Sequence, residues 1–173
     1  MNQERFFENF MLGVTQGEVI VDDRELNIAA VHKLASSATH NINIISRTLN
    51  HQVFDRVDII DALNRFIHKS RTSSIRILLF DSTNAIKNGH RMINFADRVP
   101  SKVSFRKLSS EYAVYNESFV TADGKGYLYN PLSDRYGGTV NFNDKTRCTE
   151  LDKVFSDCWN HSEPVADLRR VSI

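Results

Sequence analysis

The sequence predicts a single α/β domain, one sheet flanked by helices on both faces. Three observations predict it. Strand-like and helical segments succeed one another in the order strand, helix, strand, helix, strand, the order of a sheet covered by helices. The stretch SSIRILLFD is apolar almost throughout, the pattern of a strand buried on both faces. A chain of 173 residues suffices for one hydrophobic core and not for two of ordinary size.

Each element has its own signal. Residues 1–16 read as an N-terminal helix or arm, with Phe6, Phe7, Phe10 and Met11 close together. The domain proper is expected over 17–163. It opens with the strand GEVIVDD, where Asp22 and Glu25 make a capping-box pattern. Leu26, Ala30, Val31, Leu34, Ala35 and Ala38 then form one helical stripe. NINIISR alternates, is β-branched and ends on Ser46 and Arg47, hence a strand with a polar end. A second helix carries Ile59, Ile60, Leu63, Phe66 and Ile67, and SSIRILLFD follows it. Ser82 is placed to cap a third helix bearing Ala85, Ile86, Gly89, Met92, Ile93 and Ala96, which Pro100 closes. KVSFRKL is a further strand, and a hairpin turns on Asp123-Gly124. GGTVNF is the last strand, and Asp144 starts a terminal helix with Leu151, Val154, Phe155 and Cys158 facing inward. Residues 164–173 read as a loosely held tail.

Composition removes several classes of function. With 22 basic and 21 acidic residues there is no global field toward nucleic acid or an anionic membrane, so any anion site is local. The start, MNQERFFENFMLG, is interrupted by Glu4, Arg5, Glu8 and Asn9, which does not make a secretory signal, and a cytoplasmic location is expected. No apolar run approaches the ~20 residues of a spanning helix. Cys148 and Cys158 lie ten positions apart in one predicted helix. At ~1.5 Å rise per residue they are too far apart to bridge. No metal or other cofactor is expected, because no Cys-x-x-Cys or clustered His occurs.

In open sheets, ligands sit at the carboxyl ends of strands, which here offer Ser46 with Arg47, Asp81 with Ser82, and the loop from Asn141 to Asp144. The stretches NESFVTADGKGYLY and GGTVNFND carry the most specific pattern. With the order of elements and the phrase RILLFD, they resemble the phospholipase D-like superfamily, whose signature is His-x-Lys, four residues, Asp, then a Gly-Ser-x-Asn turn. The resemblance covers about Gly17 to His161 and implies a mixed sheet. The SR, GHR and NFND series is also similar to a small uncharacterised bacterial group of degenerate domains.

Anchored on Asp123, the signature places Asn116 at the histidine and Ser118 at the lysine. Gly138, Thr139, Val140 and Asn141 supply its second motif, with YNPLSDRY as an insertion in the connecting hairpin. In active members, the resemblance implies, a histidine attacks phosphorus while lysine and asparagine stabilise charge on the phosphoryl oxygens. An amide neither attacks nor exchanges a proton near neutral pH, and a hydroxyl supplies no positive charge. The substitutions therefore predict a domain that binds a phosphate-containing ligand or a protein partner without cleaving it, with Arg47, His90, Asn116, Ser118, Asp123, Thr139 and Asn141 as the candidate ligand-binding set.

Two alternatives stand beside it. In one, His90 replaces the missing nucleophile of a phosphodiesterase or nuclease, the pair His90-Arg91 near the strand-end Arg47 making a phosphate grip through planar, bidentate guanidinium donors; the same histidine also reads as a satisfied structural residue. In the other, the domain is a structural module that dimerises, since single-motif members of the superfamily pair two chains. Nucleic acid is weakly supported: Lys69, Arg71, Arg76, Lys102, Arg106 and Lys107 flank adjacent strands, but acidic residues are interspersed and no aromatic ladder follows them.

Overall fold

The computed structural model describes residues 5–112 and 114–165. Its strands are β1 (Val19–Val21), β2 (Asn41–Ser46), β3 (Ser74–Leu79), β4 (Val103–Lys107), β5 (Ser118–Ala122), β6 (Gly126–Asn130), β7 (Gly138–Asn141) and β8 (Glu163–Pro164). The helices are α1 (Arg24–Ser37), α2 (His51–Phe54), α3 (Val57–Ile67), α4 (Thr83–Lys87), α5 (Arg91–Arg98) and α6 (Lys145–Asn160). The strands form one mixed eight-stranded sheet in the order β1-β7-β6-β5-β2-β3-β4-β8. β2, β3 and β4 run parallel, and the other pairings are antiparallel.

Period-two alternation sorts the strand residues onto two faces. Ile44, Val120, Leu128 and Val140 belong to the larger core, which includes the buried stripes of α1 and α3. Ile45, Leu78, Phe119 and Tyr127 form a smaller core with Leu151, Phe155 and Cys158 of α6. The central strands β2 and β3 are thus covered on both faces, which is why NINIIS and SIRILL lack polar stretches. The sheet's edges are its shortest strands, β1 and β8, leaving little free edge for another chain.

Several sequence expectations are corrected. Asp23 caps α1 rather than Asp22, its carboxylate accepting from Leu26 N at 2.8 Å. The third helix is two short ones, because Gly89 at φ 62 breaks the run and His90 restarts it. Val154 is exposed, since α6 presents Cys148, Leu151, Phe155 and Cys158 to the sheet instead. The tail expected from residue 164 begins inside β8, and 166–173 lie outside the described residues. The N-terminal arm docks on its own domain: Phe7 is buried, and Phe7 and Phe10 pack on Phe142 with centroids 5.4 and 5.3 Å away.

Candidate functional site

The hairpin turn fixes what faces what. Asp123 and Gly124 have φ of 56° and 65°, and Lys125 N donates to Ala122 O at 2.9 Å, the left-handed pair that a tight hairpin turn requires. Counting outward from it, Ala122 pairs with Gly126, Val120 with Leu128, and Ser118 with Asn130. β6 therefore runs unbroken to Asn130, and the polar turn beside Ser118 is Asn130-Pro131-Leu132-Ser133. The expectation that YNPLSDRY is an insertion in the hairpin, with Thr139 and Asn141 as the turn that meets Asn116 and Ser118, is corrected accordingly. Residues 131–137 connect β6 to β7 instead.

Ser118, Asn130 and Ser133 wall a cavity of about 30 Å³ together with Asn27, Ser46, Asn50, Arg135 and Tyr136. A water needs about 10–15 Å³ by this measure, so the cavity has room for about two. Asn130 organises it: its Nδ2 donates to Asn27 Oδ1 at 3.0 Å, Tyr136 O at 3.2 Å and Gly137 O at 3.3 Å. Asn27 Nδ2 also donates to Tyr136 O, at 2.7 Å. Gly138 is required for the same reason, since a Cβ there would meet Tyr129 O at 2.2 Å and Asn130 Nδ2 at 2.7 Å. Ser133 is drawn in from both sides. Its N donates to Asn116 O at 2.7 Å, and its Oγ accepts from Arg47 N at 3.1 Å. Among the described residues, the Ser118 hydroxyl and the Asn116 amide make no hydrogen bond within the protein.

The other candidates lie elsewhere. Thr139 pairs with Tyr129, which pairs with Phe119, so its side chain is on the sheet face opposite to Ser118. Asn141 is on that same face, and its Oδ1 accepts from Asn143 N at 3.0 Å. The Arg47 guanidinium lies 4.4 Å over the Phe80 ring, again away from the cavity, and what Arg47 gives the site is its backbone N–H. Asp123 sits at the far end of β5, where its carboxylate accepts from the backbone N–H groups of Thr39, His40 and Asn41 at 2.8, 2.8 and 3.0 Å. Burial is the largest single effect on this carboxyl and would raise its pKa, but the hydrogen bonds together hold it below the usual range.

His90 is 2% exposed, and both ring nitrogens are engaged. Nδ1 accepts from Met92 N at 3.1 Å as the N-cap of α5, so the proton resides on Nε2, which donates to Leu49 O at 3.2 Å. A ring held this way has no free lone pair with which to attack phosphorus. Burial pushes its pKa down, against the opposing pull of Asp55 and the Leu49 carbonyl. Leu49 is itself unusual: a buried leucine at φ 58. Its N donates to Ser46 Oγ at 3.0 Å, so the strained loop after β2 is fixed at both ends.

Beyond the cavity an outer cleft of about 480 Å³ opens over the ends of β2 and β3, sharing Asn50 and Ser133 with it and including Thr48, Asn84, Asn88 and Asp134. The basic stripe suggested by the sequence does not form as one surface. Lys69 Nζ donates to Ser36 O and Ala38 O, and Lys102 Nζ to Ser70 O and Arg71 O. Arg76 and Arg106 instead converge on Trp159, with guanidinium carbons 5.4 and 5.6 Å from its centroid. Among the described residues there is no group of His, Cys, Asp and Glu able to hold a metal ion, and no helix is long and apolar enough to cross a membrane.

Comparison with known proteins agrees with the fold. The family model described as "Domain of unknown function (DUF7931)" matches residues 23–171. Among curated proteins none matches in sequence. The archaeal chromatin protein TrmBL2, described as showing a novel mode of DNA binding, superposes with TM-score 0.64 at 14% identity; 94% of this chain is covered, and the chain spans 59% of TrmBL2. Nuc, a phospholipase D family member from Salmonella typhimurium, gives TM-score 0.62 at 15% identity over 87% of this chain and 98% of its own. NucT from Helicobacter pylori gives 0.61 at 16% over 87% and 99%. The fold is therefore phospholipase D-like.

Proposed function

The chain belongs to the DUF7931 family and has a phospholipase D-like fold, and on that premise we propose that it binds a phosphate-containing ligand without hydrolysing it, in the cavity between β5, β6 and residues 131–137. One observation carries the reading. The hydroxyl of Ser118, in the cavity lining, makes no hydrogen bond within the protein among the described residues, nor does the amide of Asn116 two positions before it, while Asn130 and Ser133 hold the opposite wall in place. Neutral donors with no partner in the fold suit phosphoryl oxygens, which accept several hydrogen bonds each. Arg135 adds a cation to the lining.

The same geometry argues against turnover. Attack on phosphorus needs a nucleophile and a base within hydrogen-bond reach of it. The cavity lining offers serine and asparagine side chains without a histidine or carboxylate beside them, and the nearby imidazole of His90 has both nitrogens occupied. The test is calorimetric titration with inorganic phosphate beside a turnover assay with an activated aryl phosphodiester. Saturable phosphate binding, weakened about 2–10-fold in Ser118→Ala by the loss of one hydrogen bond, with no turnover, is the expected result. Turnover that disappears in Asn116→Ala, or no phosphate binding at all, would overturn it.

A further inference from the structure

Resting on that reading, we propose that the ligand is a phosphomonoester of a polyhydroxylated molecule, its phosphoryl group held in the inner cavity and its hydroxyls in the outer cleft. The sizes suggest the division. The inner cavity, about 30 Å³ and lined in part by Ser133, Arg135 and Tyr136, has room for a phosphoryl group and little more, whereas the adjoining cleft of about 480 Å³ takes a substituent the size of a small sugar or polyol. Both share Asn50 and Ser133, so one ester oxygen pointing outward connects them.

The chemistry of the outer cleft selects the substituent. Thr48, Asn84 and Asn88 are exposed there, and among the described residues their side chains make no hydrogen bond within the protein. Amides and a hydroxyl offer paired donors and acceptors, the complement of a vicinal polyol. No phenylalanine, tyrosine or tryptophan is among the described residues of this cleft, and its rings are the imidazoles of His51 and the buried His90, a small stacking platform for a nucleobase. Its described lining contains no lysine or arginine, and Asp134 stands in it; Asp55 does too, but is paired with Arg91 at 3.2 Å. A polyanionic strand running through this cleft would meet Asp134 without a compensating cation.

The experiment titrates the full chain with inorganic phosphate, glycerol 3-phosphate, glycerol, and a short single-stranded oligonucleotide without a terminal phosphate. Glycerol 3-phosphate is expected to bind about 10-fold tighter than phosphate, as two further neutral hydrogen bonds would give, and glycerol alone not measurably. Asn84→Ala and Asn88→Ala should each remove several-fold of that gain while leaving phosphate affinity unchanged. Equal affinity for phosphate and glycerol 3-phosphate overturns the inference and leaves the phosphate reading intact. So does an oligonucleotide that displaces phosphate and binds tighter than the monoester. Absence of binding by either phosphate compound overturns the underlying reading, and the inference with it.

Discussion

Ser118 and Asn130 stand directly opposite each other across the β5–β6 ladder, the hydroxyl of the first without a hydrogen bond among the described residues and the amide of the second holding Asn27 and two backbone carbonyls. Asn130 thus shapes the cavity that Ser118 faces. Asn130→Ala leaves Asn27 Oδ1 short of a donor and the carbonyls of Tyr136 and Gly137 less satisfied. We expect a loss of about 1–3 kcal/mol in urea denaturation, accompanied by weaker phosphate binding. Ser118→Ala, by contrast, should leave stability within about 0.5 kcal/mol of the parent and affect binding alone.

His90 is predicted to act as a structural latch between α5 and the loop after β2. His90→Ala should cost about 1–3 kcal/mol by leaving Met92 N–H and the Leu49 carbonyl unpaired in a buried site. The pH dependence has a definite sign. Because the folded pKa lies below the unfolded value of about 6.5, the unfolded chain takes up the proton first. The contribution of His90 is therefore complete above that value and is lost as pH falls through it toward the folded pKa. Unfolding free energies measured from pH 8 down to pH 5 should decline more steeply in the parent than in His90→Gln.

Asp123 is predicted to matter for stability and not for ligand affinity. It accepts hydrogen bonds from three consecutive backbone N–H groups at the start of β2. Asp123→Ala should cost about 1–3 kcal/mol, toward the low end because the site is half exposed and partly screened. Its folded pKa is depressed, so this stabilisation is present above the unfolded carboxyl value of about 3.9 and is lost as pH falls below it. Parent and variant stabilities should therefore converge in acid, and phosphate titrations of Asp123→Ala at neutral pH should match the parent.

Both thiols should be inert in the native state. Cys148 and Cys158 are buried on α6, and burial pushes their pKa values up to about 12 and about 11. The thiolate is the reactive form, so an aromatic disulfide reagent at pH 8 should label neither until denaturant is added. Rapid labelling of the folded protein would contradict the packing of α6 on the sheet.

Much of the fold was legible because local signals agreed with the tertiary result. The alternation in NINIIS, the apolar run around IRILLF and the Asp-Gly turn each depend on neighbours in sequence. The site was less legible. Asn130 and Ser133 were within reach of the sequence, since counting pairs outward from Asp123-Gly124 puts Asn130 opposite Ser118, but the Gly-Thr-x-Asn pattern of β7 drew the second motif to the wrong strand. In the fold, Gly138 answers to the carbonyl of Tyr129, and Thr139 and Asn141 face α6.

The sequence by itself determined an α/β sheet with helices on both faces, the hairpin and the unpaired cysteines. Tertiary structure alone decided which polar residues share a cavity. Side chains one position apart on a strand point to opposite faces, so Arg47 and Ser46, adjacent in sequence, end on different sides of the sheet. Whether His90 keeps a free nitrogen depends on Leu49, forty-one positions away in sequence, a separation that no local periodicity spans.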